Sequence, residues 1–326
     1  MSTSVNSTVA TRAVGVPARR WWHDILEREN SLGLVLMAPA MAILVIFIAY
    51  PFVLAISYSL VDARIGVPGQ FVGVDNFVKN LQNSIFQQTL KNTFVYTGIT
   101  TVFKLSLGMC LALLMNQHFP FKNLIRAGLL LPWIIPTALS TLAWLWIFDA
   151  TYGIISWGLK SAGVIEYVNY VRTGNFSPSN IPFLGDPTLA MGSVIAVNIW
   201  RGTPFFAISL LAGLQTIPQD LYEAAAIDGA TAIQRFRHVT LPLIMPILTI
   251  VSLFSIIWTF ADFQVVYVLT RGGPANSTHL LATLAYQVGM NAGELSMGAA
   301  ISLWMFPFMA AIVIVTVWYQ RRDTAQ

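Results

Sequence analysis

Charge is the scarcest property of this chain. Only 10% of its 326 residues are Asp, Glu, Lys or Arg, whereas 56% are hydrophobic and the mean hydropathy is +0.67. A soluble domain carries roughly 25% charge, so the composition excludes an ordinary water-soluble globule and places the chain in the membrane class. Cysteine is almost absent: Cys110 alone rules out an intramolecular disulfide, and its apolar surroundings read as buried filler rather than a reactive thiol. The four histidines, His23, His118, His238 and His279, form no metal-spaced cluster, and no convergent catalytic set points to a membrane enzyme. No GxxxxGK(S/T) segment is present, so ATP hydrolysis is not expected from this chain. Carboxylates within apolar segments are few, Asp262 being the clearest, which argues against the self-sufficient ion route of a secondary transporter.

What is abundant is apolar runs of membrane-crossing length. They predict six spans at about 32–60, 90–115, 127–148, 189–214, 241–269 and 295–318, hence an all-α polytopic membrane protein. The first run exceeds the minimal crossing of about 20 residues, so it tilts or projects beyond the lipid. The third contains LPWIIP, where Pro132 and Pro136 each remove a backbone donor and demand a kink or a polar rescue. Residues 149–187 carry the breaker-rich GNFSPSNIPFLGDP and read as loops with short helical pieces. The run LLATLAYQVGM is too short to cross as a helix and reads as an outer-surface or partly buried element. Residues 1–31 form a polar tail, with an interfacial helix or a charged flank around Trp21 and Trp22, and residues 321–326 a second tail.

Six spans put both ends on one side. With that side cytoplasmic, the inner segments hold ten of the 18 basic residues and the longer outer segments six, leaving Lys104 and Arg201 at membrane depth. The positive-inside bias therefore favours cytoplasmic termini and a cytoplasmic loop at 215–240. The net charge of +4 is a topology signal on this reading, and no nucleic-acid partner is expected.

Most of that loop lies in PQDLYEAAAIDGATAIQRFRHVTLP, a polar-rich interval flanked by apolar runs on both sides. Leu221, Ala224, Ala225 and Asp228 recur at helical spacing, and Gly229 is placed to stop the first of two short helices. Asp228 is positioned to close the turn through its side chain. By periodicity alone, Glu223 is as readily an interfacial solubilising charge as a docking group.

Glu223-Ala224-Ala225, then Gly229, then Leu241-Pro242, closely resemble the cytoplasmic signature of permease subunits in binding-protein-dependent ABC importers. The longer string LYEAAAIDGATAIQRFRHVTLPLIMP, together with LPWIIP, WRGTPFFAISLLAGLQTIP and WTFADFQVVYVLTRGGP, is similar to the carbohydrate-uptake branch, and TRGGP to its maltose-type first permease. The resemblance implies a non-catalytic subunit in a bacterial cell membrane, the inner one in a Gram-negative cell. It implies a second permease subunit, two copies of an ABC ATPase that use ATP and Mg2+, an extracytoplasmic substrate-binding protein and a carbohydrate-like cargo. Coupling to the ATPase then falls to Glu223, Ala224, Ala225, Asp228, Gly229, Leu241 and Pro242. An importer for glycerol-phosphate or a phosphorylated, sulfonated or polyol cargo is the alternative, with a secondary transporter or scaffold behind it.

A charge at membrane depth costs several kcal/mol unless it faces the bundle interior or a partner. Arg201 therefore lines a translocation cavity or sits in a fixed ion pair, for which Asp262 is a possible partner. Asn198, Trp200, Trp258 and Gln264 are further cavity candidates, since sugars are held by polar forks flanked by aromatic faces. Lys104 snorkels, pairs internally or marks the outer rim; sequence does not choose.

Overall fold

A computed structural model describes residues 29–117, 120–164, 167, 170–171 and 181–323. The segment around Trp21 and Trp22 lies outside the described residues, as do positions 172–180 and the last three residues. The chain forms two compact units, residues 1–54 and 55–326.

Helix α1 (Glu29–Leu44) of the first unit passes through a π-helical turn (Val45–Ala49) into α2 (Tyr50–Ser59), within which the second unit begins. Residues Leu32–Ser59 are apolar all round, and at 1.5 Å per residue their 28 positions extend about 42 Å, more than the roughly 30 Å hydrocarbon layer.

The second unit is helical, and among its described residues there is no strand, only two isolated bridges, Val61 with Phe71 and Arg64 with Val67. A short helix α3 (Asp75–Gln82) leads into the long α4 (Ser84–Asn116), capped by Asn83, whose Oδ1 accepts from the Ile85 and Phe86 amides. Then come α5 (Lys122–Ile134), α6 (Thr137–Ile147), α7 (Ile154–Ser161) and α8 (Pro187–Leu214). Asp186 caps α8 through the Thr188 and Leu189 amides, with Pro187 at its first position, where a missing N–H costs nothing. Helices α9 (Gln219–Ile227) and α10 (Ala232–Arg235) and a π turn (Phe236–Thr240) precede α11 (Leu241–Phe260) and α12 (Gln264–Leu269). The chain closes with α13 (Leu281–Tyr286), a third π turn (Gln287–Asn291), α14 (Leu295–Leu303) and α15 (Met305–Asp323).

The most extensive packing is between α4 and α8. Met109, Ala112 and Met115 meet Phe206, Ala207, Leu210 and Leu214, with Ile244 and Val251 of α11 closing the cluster. Gly108 permits this approach, because a Cβ there would run into Phe206. A second cluster joins Tyr96, Val194 and Val197 to Val265, Val266 and Leu280.

Among the described residues, five helical stretches are long and apolar enough to cross a membrane, or six if the α5–α6 pair counts as one broken span. That pair falls on the third span expected at about 127–148, with a sharp break where LPWIIP demands a kink or a polar rescue. Helix α5 starts earlier, at Lys122, and α6 turns away from it by 93°. The break is at Pro136: Ile135 is extended (φ −65°, ψ 131°), as the residue before a proline prefers, whereas Pro132 sits inside α5 without ending it. The fifth span is interrupted as well, between Phe260 and Gln264. Cys110, expected to be buried, is exposed on α4. It lies beside Leu107, Leu129 and Trp200 in an apolar groove. Of the short LLATLAYQVGM run, Leu280, Leu281, Leu284 and Ala285 are buried.

Candidate functional site

The interruption of the fifth span is where the polar residues gather. Asp262, in the non-helical link between α11 and α12, is 9% exposed. Its Oδ2 accepts from the Tyr96 hydroxyl at 2.6 Å and from Asn198 Nδ2 at 2.9 Å, and its Oδ1 from the Val265 amide at 3.4 Å, at the start of α12. Lys104 Nζ donates to Asn198 Oδ1 at 2.9 Å and to Thr259 Oγ1 at 2.7 Å. A continuous polar chain thus links α4, α8 and α11 through otherwise apolar surroundings. Each buried charge meets hydrogen-bonding partners, as burial demands.

Beside this chain lies a cavity of about 420 Å³. Lys104, Asn198, Thr259 and Asp262 contribute its polar wall, and Arg201 and Gln264 extend it. The lining is also aromatic: Trp133 stacks on Phe205 at 5.1 Å, and Trp258 lies 5.7 Å and 5.2 Å from those two rings. The Arg201 guanidinium carbon sits 5.7 Å from the centroid of the Trp133 ring, a cation–π arrangement. A cavity of this size with a few convergent polar groups and aromatic walls fits a small polyhydroxylated molecule.

The structure brings Asn198, Arg201, Trp258, Asp262 and Gln264 to one cavity, but Trp200 is not among its lining residues. Trp200 follows Asn198 by two residues, about 200° around a helix, and lines the apolar groove with Cys110 while touching Trp144 at 5.3 Å. Arg201 takes the first of its two readings: it lines the cavity and is not ion-paired to Asp262. Asp262 is occupied by Tyr96 and Asn198, and Arg201 Nε is buried without a hydrogen-bond partner among the described residues. Lys104 is internally held. Sequence reasoning missed Trp133 and Phe205, although both stand in quoted motifs, LPWIIP and WRGTPFF. Tyr96 carried no sequence signal beyond its apolar setting.

The second feature is the elbow between α8 and α11. Gly229 has φ +78°, the left-handed conformation that ends helices. The Ala230 amide reaches Ala225 O at 2.9 Å and the Gly229 amide reaches Ala226 O at 3.1 Å, the paired bonds of a Schellman motif. Backbone groups thus close the turn, correcting the expected role of the exposed Asp228 side chain. Thr231 then opens α10 with a capping box to Gln234. Glu223 and Ala224 are exposed and Ala225 half-buried, while Leu241 and Pro242 begin α11. The Tyr222 hydroxyl and Thr240 Oγ1, 3.0 Å apart, tie the two arms together. Between the elbow and the end of α4 is a hollow of about 650 Å³ that includes Glu223, Tyr222, Arg235 and Asn116.

Several apolar helices of spanning length, a polar, aromatic-walled cavity in the second unit and an exposed helical elbow before the fifth span define a multi-pass membrane permease. Residues 104–323 match the family described as binding-protein-dependent transport system inner membrane component, and the chain belongs to that family, a transport component and not a catalytic subunit. It is 34% identical over 289 residues to the trehalose/maltose transport system permease protein MalF of Thermococcus litoralis, covering 88% of this chain and 93% of the relative. It is 33% identical over 300 residues to the sulfoquinovosyl glycerol transport system permease protein SmoG of Agrobacterium fabrum, covering 91% and 92%. Among solved structures, a chain of the bacterial alginate ABC transporter, crystallised with an alginate pentasaccharide-bound periplasmic protein, aligns with a TM-score of 0.77 over 94% of this chain and 98% of that one. At 22% identity that likeness is one of fold.

Proposed function

We propose that this chain is one of two permease subunits of an ATP-driven, binding-protein-dependent importer for a sugar or glycoside, and that it forms half of the translocation pathway. The observation that carries this reading is the cavity where Asn198 and Arg201 face Trp133, Phe205 and Trp258, since polar forks beside aromatic faces are the chemistry of sugar recognition. The relative named for trehalose and maltose supports the cargo class.

In this reading the termini and the elbow are cytoplasmic, as the distribution of basic residues favours. Two copies of an ABC ATPase, using ATP and Mg2+, push on the elbow through Glu223, Ala224, Ala225, Asp228 and Gly229, with Leu241 and Pro242 passing the motion into α11. A cargo-loaded binding protein docks on the outer loops, including residues 150–187. The elbow suits a mechanical role because its turn is closed by backbone bonds and its second arm by a capping box.

A second reading, an anionic glycoside as cargo, is favoured by Arg201, whose guanidinium has no carboxylate partner among the described residues, and by the relative named for sulfoquinovosyl glycerol. Reconstitution with the partner subunits tests both. ATPase activity stimulated by the binding protein with neutral glycosides supports the first reading, and stimulation confined to sulfonated or phosphorylated sugars supports the second. No stimulation by any of them contradicts the importer reading.

A further inference from the structure

Lys104 is the one Lys or Arg side chain buried to 3% exposure among the described residues. It does not touch Asp262; a single amide stands between them. Asn198 turns its oxygen to the ammonium and its NH2 group to the carboxylate. Rotating the amide by half a turn would set N–H against N–H and oxygen against oxygen, so the two charges hold it in one orientation. The site is also shaped for the lysine stem: a Cβ on Gly202 would collide with Lys104 Cδ. Asn198 and Arg201, three residues apart on α8, share a face, so the group that fixes one sets the wall that carries the other.

We propose that Lys104 is a positioning residue of the transport cavity: its ammonium balances the Asp262 carboxylate and fixes the Asn198 amide between them, presenting Asn198 and Arg201 to the cargo in one orientation. The proposal rests on reading this cavity as the cargo pathway. Removing Asp262 alone therefore leaves two cations, Lys104 and Arg201, in one cavity without a carboxylate, and removing Lys104 alone leaves the buried carboxylate without the ammonium that holds Asn198; removing both leaves the half-buried Arg201 as the single charge and frees the amide.

The test uses the complete importer in proteoliposomes with Lys104→Met, Asp262→Asn, the double variant and Gly202→Ala. A first arm needs no cargo: the amount of assembled complex. Each single charge variant should lower it by about tenfold or more, and the double variant should recover to within about threefold of wild type. A double variant as depleted as the product of the two singles overturns the charge balance. A second arm measures trehalose or maltose imported per ATP hydrolysed. Simple loss of folded complex lowers uptake and hydrolysis together and leaves that ratio alone. A lost orientation should lower it about tenfold in the double variant and in Gly202→Ala. A wild-type ratio in both overturns the positioning role. A wild-type complex that imports neither sugar counts against the cargo reading, and the first arm then decides the charge balance by itself.

Discussion

The Tyr96 hydroxyl donates to Asp262 Oδ2 at 2.6 Å, joining the middle of α4 to the break between α11 and α12 across 166 positions of sequence. Tyr96 is fully buried and Asp262 nearly so. A hydrogen bond to a buried charged acceptor contributes about 1.5–3 kcal/mol. Tyr96→Phe should therefore lower the unfolding free energy of the purified protein by that amount. A change under about 0.5 kcal/mol would show that Asn198 and the Val265 amide satisfy the carboxylate without it.

Gly229 and Gly272 both lie in the left-handed region, at φ +78° and +86°, yet they make different predictions. A Cβ at Gly229 meets nothing within 4 Å, so Gly229→Ala should cost only the conformational strain, about 1 kcal/mol. A Cβ at Gly272 would collide with the His279 imidazole, so Gly272→Ala adds overpacking to strain and should cost at least about 2 kcal/mol. Denaturation of the two variants checks the ranking, and equal costs would contradict it.

His279 lies outside the spans, 2% exposed, with Nδ1 3.2 Å from Thr283 Oγ1. Burial holds its imidazole below the ordinary value of 6.5. The unfolded chain therefore binds a proton more readily than the folded one, and stability present above about pH 6.5 is lost as the pH falls below it. The thermal midpoint should drop between pH 7.5 and pH 5, and His279→Gln should flatten that slope. An unchanged slope would assign the pH dependence to another group.

Five of the apolar runs and the elbow are legible because both are local: run length reports a crossing, and Gly229 between two helical patterns reports a turn; the third run forms the bent pair α5–α6. The cavity was legible only in part. Asn198, Arg201 and Asp262 stood out as polar residues at membrane depth, but which of them meet is set by how α4, α8 and α11 pack, which spacing within one helix does not encode. The Arg201–Asp262 pairing failed for that reason. Trp200 failed for another: a tryptophan two residues from a cavity residue points to the opposite side of the same helix. The break at Pro136 rather than Pro132 depended on Ile135 adopting the extended conformation, and both prolines carry the same local penalty.

Arg201→Gln keeps a donor and removes the cation. If the guanidinium contacts cargo, sugar uptake by the complex should change in rate or preference by about tenfold, the scale of one or two charge-assisted hydrogen bonds. Unaltered uptake and preference would reduce Arg201 to its contact with Trp133.

Glu223→Ala addresses the elbow. Its side chain is exposed beside the hollow next to α4, so its loss should leave the fold intact and binding-protein docking largely unaffected while lowering transport. Unchanged uptake by that variant would remove Glu223 from the coupling path.

The most direct measurement is accumulation of radiolabelled trehalose or maltose in proteoliposomes holding this chain with its partner permease, ATPase and binding protein. Accumulation against a gradient should require ATP, the loaded binding protein and this chain together. Accumulation that persists without ATP or without this chain, or none for any glycoside with every partner present, would contradict it.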